Sequence, residues 1–156
     1  MRAALPLLLG VALTLAGCMP GATPGGLAGK DHVPRPGVDV RLSAVDASGK
    51  GKPAQWQGET LALHEPPIAG SADIADVRYV LDQDKQPGLQ IRCRHEAHQR
   101  IHDGTEALVG QRAALSVDGR VLMVATVKGP FGESMVLSGL PSIAEAQALA
   151  KHITGQ

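Results

Sequence analysis

Aromatic side chains are nearly missing from this chain. Trp56, Tyr79 and Phe131 are the whole complement, 2% of 156 residues. Stacking of bases on rings is thereby excluded as a way of holding nucleic acid, and the core has to be built from Val, Leu, Ile and Ala. An excess of one charge is also lacking: 15 Lys and Arg stand against 15 Asp and Glu. A balanced chain carries no general field for nucleic acid or for an anionic membrane surface. Cysteine is scarce, with Cys18 and Cys93 only, too few for a disulfide framework. No apolar run reaches the ~20 residues that span a bilayer, so the body is expected to be water-soluble. Catalytic patterns are absent as well. No Ser sits in a nucleophile elbow and no Gly-rich loop matches a phosphate cradle; Gly129-Pro130-Phe131-Gly132 reads as a turn. Asp82, Asp84 and Glu96 form no recognisable acid–base pair, and acidic residues beside turns are usually solvated. The chain is read as a non-enzyme without a bound cofactor.

What is present begins at the N-terminus, MRAALPLLLGVALTLAGC. One cationic residue, Arg2, precedes an apolar run from Ala3 to Ala16, and small residues follow. That is the make-up of a secretory signal peptide. Its ending, Leu15-Ala16-Gly17-Cys18, resembles the bacterial lipobox. The resemblance implies removal of residues 1–17 and acylation of Cys18, with lipid chains such as palmitate, giving a lipoprotein tied to a membrane. Met19 after the lipidated Cys, rather than Asp, favours the outer membrane over the inner one by analogy with lipoprotein sorting. With Cys18 modified, Cys93 has no intramolecular partner. It alternates with Leu89 and Ile91, which makes it a small buried hydrophobe rather than a nucleophile.

Residues 18–58 are read as the lipidated Cys and a Gly/Pro-rich tether, with a short strand possible at residues 38–45. Trp56 is expected to pack against the domain edge. The folded body is placed at residues 59–156. Strands are expected from Leu61 to Glu65, stopped by Pro66-Pro67, through Val77, Tyr79 and Leu81, and through Leu89, Ile91 and Cys93. A helix follows from His95 to Val109, with Ala97, Ile101 and Leu108 on its apolar stripe, Gly104 weakening it and Gly110 stopping it. Ala113, Leu115 and Val117 lead into Asp118-Gly119, a hairpin signal. Val121 to Val127 is apolar at nearly every position, which suggests a central strand covered on both faces. Ser134 to Ser138 is a further strand. Ser142-Ile143-Ala144-Glu145 is a capping box opening a closing helix with the stripe Ile143, Ala146, Leu149, Ala150 and Ile153. The fold class is α+β, a mainly antiparallel sheet with two amphipathic helices packed on it.

Three segments carry a resemblance. GLQIRCRHEAHQRI (88–101), VGQRAALSVDGRVL (109–122) and SGLPSIAEAQALA (138–150) are similar in order and spacing to the head subdomain of the first periplasmic domain of SecD/SecF translocation proteins. The likeness runs from about Leu61 to Ile153. It departs at the helix start, where Arg94-His95 replaces a Thr-Pro pair, and at Ile101 and Gly104. SecD and SecF also carry a multi-helix membrane part that conducts protons. None is visible in this sequence, so proton-driven translocation is not carried over. The resemblance implies the fold, a periplasm-facing place in the cell envelope, and contact with exported polypeptide or translocon components.

One side-chain constellation stands out. His95, His98 and His102 fall within about 60° of one another around a helix, beside Arg92, Arg94 and Arg100. Together they form a candidate binding patch that gains charge as pH falls toward 6. His98 and His102 have the i, i+4 spacing that can hold one metal ion, although no third ligand is identifiable and HEAH is not the zinc-protease pattern. The expected function is a membrane-anchored, non-catalytic envelope lipoprotein whose domain binds polypeptide or partner proteins and assists export. The alternative is a small metal-binding lipoprotein using His98 and His102.

Overall fold

The computed structural model describes residues 32–156. The expected signal peptide, Cys18 and the first part of the expected tether lie outside the described residues. Among those described, the order is β1 Val40–Ala44, β2 Lys52–Trp56, β3 Glu59–Leu63, β4 Ala69–Gly70, a 3-10 turn at Ser71–Asp73, β5 Ile74–Leu81, β6 Pro87–Cys93, α1 His95–Glu106, β7 Arg112–Val117, β8 Arg120–Thr126, β9 Ser134–Ser138 and α2 Ile143–Thr154.

The strands form a four-stranded sheet in the order β4-β1-β7-β8, a three-stranded sheet β5-β6-β9 and the hairpin β2-β3. Every pairing is antiparallel. The α+β class expected from the sequence is the one that forms, with the sheet divided in three. Period-two alternation sends every second side chain to the same face. Val40, Leu115 and Val117 of the larger sheet thus meet Val77, Leu89, Ile91 and Leu137 of the smaller one, with Ile153 of α2 among them. Ala97 and Ile101 of α1 close a second cluster over Leu42, Cys93, Ala113 and Val127. The β2-β3 hairpin lays Leu61, Leu63 and Trp56 on Val45, Ala114 and Val121. Leu89 and Ile101 are completely enclosed, each stabilising the fold by roughly 1.5–3 kcal/mol.

The structure corrects four expectations. The folded body starts well before residue 59: β1 is an interior strand, bonded to β4 and β7, and β2 forms where the tether was expected to continue. Strand β1 falls within the short strand allowed at residues 38–45, but its place inside the sheet was not expected; Gly and Pro around β2 had concealed that strand. Strand β8 is an edge strand rather than a central one. Its apolar residues are still used on both faces, because Leu122 and Met123 pack against the inner core while Val121 and Val124 pack beneath the β2-β3 hairpin. Helix α1 ends at Glu106. The Thr105 hydroxyl donates to the Ile101 carbonyl at 2.7 Å and accepts the Phe131 N–H at 2.8 Å. Leu108 and Val109 then donate to the Thr105 and Glu106 carbonyls in a tightened turn, so Leu108 reaches the core from that turn. In α2, Ala146 and Ile153 are buried, whereas Ile143 is 47% exposed. The Asp118-Gly119 turn forms as expected, both residues having φ of 50° and 79°. That is the left-handed pair a two-residue hairpin needs.

Candidate functional site

The sequence directs attention first to α1. Arg94 precedes the helix in extended conformation and lends it no side-chain cap. Its guanidinium instead donates to the Ala72 carbonyl at 3.0 Å. Arg100 reaches across to Asp73 at 2.6 Å and to the Ile68 carbonyl. Asp73 in turn accepts the Gly70 N–H at 2.8 Å. Two arginines of the expected patch are therefore ties between α1 and the chain around the 3-10 turn. Arg92 lies on β6, in register with Asp76 and Ser134.

The histidines divide. His95 and His98 meet edge to face with ring centroids 5.4 Å apart, and His98 Nε2 lies 3.0 Å from the Cys93 carbonyl oxygen. A carbonyl only accepts, so His98 carries its proton on Nε2 there. His102 faces acids: Nδ1 is 3.3 Å from Asp103, and the ligand atoms of His102, Asp103 and Glu106 lie within 4.8 Å of one another. That is the one group of three such ligands among the described residues, and it contains His102 without His98. The expected His98–His102 metal pair is thus drawn to two different sets of partners. Cys93 is 2% exposed, and burial pushes its thiol pKa up, with Asp73 adding to the rise. It is the small buried hydrophobe that alternation implied. Asp82 is a turn former: its carboxylate accepts the N–H groups of Asp84 at 2.9 Å and Gln86 at 2.8 Å.

Two features were not singled out from the sequence. The first is Asp76, whose side chain is 6% exposed. It accepts the His32 backbone N–H at 2.9 Å and the Arg78 Nε–H at 2.7 Å, with the His32 ring at 3.3 Å. A charged residue within an apolar alternation was the available sign. The strand register shifts between Ile74 and Asp76, and the chain at His32 covers the carboxylate. The second is a groove of about 460 Å³ between β5 and α2, lined by His32, Val77, Arg78 and Tyr79 on one side and Gln147, Ala150, Lys151 and Thr154 on the other. Tyr79 on its strand side is 46% exposed, and Leu81, two residues further along β5 and outside the groove lining, is 50% exposed. The helix side recurs at i, i+3, i+4 and i+7, which is readable in sequence; its opposition to β5 is not.

Residues 37–155 match the family described as SecDF, P1 head subdomain. The protein translocase subunit SecDF of Thermus thermophilus is 33% identical over 86 residues, covering 54% of this chain and 12% of that protein. The protein translocase subunit SecD of Rhodobacter capsulatus is 30% identical over 98 residues, covering 62% and 18%. The chain therefore spans less than a fifth of the length of these curated relatives. Among solved structures, SecDF in its super-membrane-facing form superposes with a TM-score of 0.59 at 23% identity, over 72% of this chain and 18% of that one. A SecDF structure described as a membrane component that enhances protein export gives 0.57 at 23% identity, over 70% and 58%. These two likenesses concern the fold.

Proposed function

As this chain belongs to the SecDF P1 head subdomain family through residues 37–155, we propose that it is a non-catalytic binding module of the cell envelope that assists protein export. In this reading Cys18 carries the acyl chains, the folded body faces the periplasm, and the anchoring membrane is the outer one. The domain contacts exported polypeptide or subunits of the translocon. The observation that carries the reading is the family match across the whole described body, joined to a leader ending in Leu15-Ala16-Gly17-Cys18. Its relatives are translocase subunits several times longer, and binding is the activity proposed for the domain that this chain shares with them.

The test is crosslinking in intact cells followed by identification of partners, with intact-mass analysis of the native protein alongside. Exported precursors or translocon subunits should be recovered, and the mature chain should begin at an acylated Cys18. An unmodified thiol at position 18 on a chain with its leader uncleaved would overturn the anchor. Recovery of neither partner class would overturn the role in export.

A further inference from the structure

The groove between β5 and α2 has one strand edge, one helix wall and an apolar floor. We propose that it receives an extended polypeptide segment, added as a further strand along the outer edge of β5. The inference rests on the reading that this chain binds exported polypeptide, and it names the site and the mode.

The edge itself identifies the occupant. Val77 donates its N–H outward to the His32 carbonyl at 2.9 Å. In a strand, alternate residues point their backbone N–H and C=O the same way. Tyr79 and Leu81 therefore also present theirs outward, while Arg78 and Val80 sit opposite Gln90 and Gly88 in the ladder with β6. Among the described residues, no backbone hydrogen bond reaches the outward groups of Tyr79 or Leu81. The edge already takes backbone at one position, from His32, and offers two further positions of the same kind. Unpaired edge groups of this sort are a template for another chain, and recognition through main-chain bonds tolerates many sequences.

The wall is the stripe Gln147, Ala150, Lys151 and Thr154, which faces Val77 and Tyr79 across the groove. An added strand places every second side chain on that floor, and Val77, Tyr79 and Ala150 suit an apolar one. Lys151 lines the groove, as does Arg78, whose guanidinium is already paired with Asp76; no Asp or Glu is in the lining, so the charge of Lys151 favours segments carrying an acidic residue over basic ones.

The experiment uses the full chain and reduced, carboxymethylated α-lactalbumin, an acidic and permanently unfolded polypeptide, as probe. Binding is read by fluorescence anisotropy and amide protection by hydrogen exchange. Leu81→Pro removes an outward N–H and leaves the β5-β6 ladder bonds in place. Gln147→Trp narrows the groove from the helix side and decides the matter if the proline variant does not fold. The probe should protect the Tyr79 and Leu81 amides, and each variant should weaken binding about fivefold or more. Undiminished binding by a folded variant, with protection elsewhere, overturns the groove and leaves polypeptide binding standing. No binding by the unaltered chain removes both. Protection of the two amides before probe is added would assign the edge to the chain's own residues ahead of His32, or to a second copy if it depends on concentration, and would overturn the external partner.

Discussion

Asp76 joins chemistry and architecture in a single side chain. Burial raises its pKa, but the His32 N–H and the Arg78 guanidinium outweigh burial and leave it below the ordinary carboxylate value. A carboxylate with a lowered folded pKa contributes stability above its unfolded pKa and loses it as pH falls through the folded value. Asp76→Asn keeps the shape and removes the charge. It should destabilise the fold by roughly 1–3 kcal/mol at neutral pH, with a smaller cost at pH 3, as read by urea unfolding at both pH values. Thr105 is the second such residue, completely buried. Thr105→Val strips the acceptor from the Phe131 N–H and should cost about 1–3 kcal/mol in the same assay. Cys93 should resist alkylation by iodoacetamide in the folded protein and react upon unfolding, because its thiol is buried and its pKa raised. Its burial was legible from alternation with Leu89 and Ile91, whereas the burial of Asp76 was not, since the backbone that covers it comes from His32, 44 residues away in sequence.

At the scale of elements, β6 is the strand on which the smaller sheet depends, bonded to β5 on one side and β9 on the other. Gly88 makes that pairing possible: a Cβ there would lie 2.3 Å from the Leu137 carbonyl oxygen. Gly88→Ala forces β9 away and should cost about 1–3 kcal/mol, seen as a lower thermal midpoint and faster amide exchange at Met135 to Leu137. Helix α1 shows a similar division between what is local and what is not. Its start, its buried Ala97 and Ile101 and its first-turn Glu96 follow from the periodicity. Its end does not, because the Thr105 side chain is claimed by Phe131, distant in sequence. The basic patch fares likewise. Arg94 and Arg100 share the helix region with the histidines, yet their guanidiniums close on Ala72, Ile68 and Asp73.

Across the whole molecule, exposed carboxylates share the acid sensitivity of Asp76. Asp46 is held low by the Ser48 hydroxyl, Glu59 by Arg112, Asp82 by the Gln86 N–H, and Asp118 by the Asp39 N–H and then His152. Each releases its proton more readily folded than unfolded, so the unfolded chain binds more protons. The thermal midpoint should therefore fall as pH drops from 5 through the carboxylate range toward 2, measured by circular dichroism. Asp118→Asn, which keeps an Oδ1 acceptor for Asp39 and loses the charge facing His152 at 2.7 Å, should flatten part of that slope.

The sequence alone determined whatever depends on neighbours along the chain. The α+β class came from alternation and helical stripes, the hairpin from Asp118-Gly119, the helix start from Ser142, and the family likeness from three ordered segments. Side-chain period and turn chemistry act over a few residues, so they survive reading without a fold. Only the tertiary structure decided that β1 lies inside a sheet, that β8 lies at an edge, that Asp76 is buried, and that α2 stands beside the open edge of β5. Those outcomes depend on pairings between segments tens of residues apart. Such pairings are chosen by the shared burial of apolar faces and the joint satisfaction of backbone hydrogen bonds, neither of which any single segment contains.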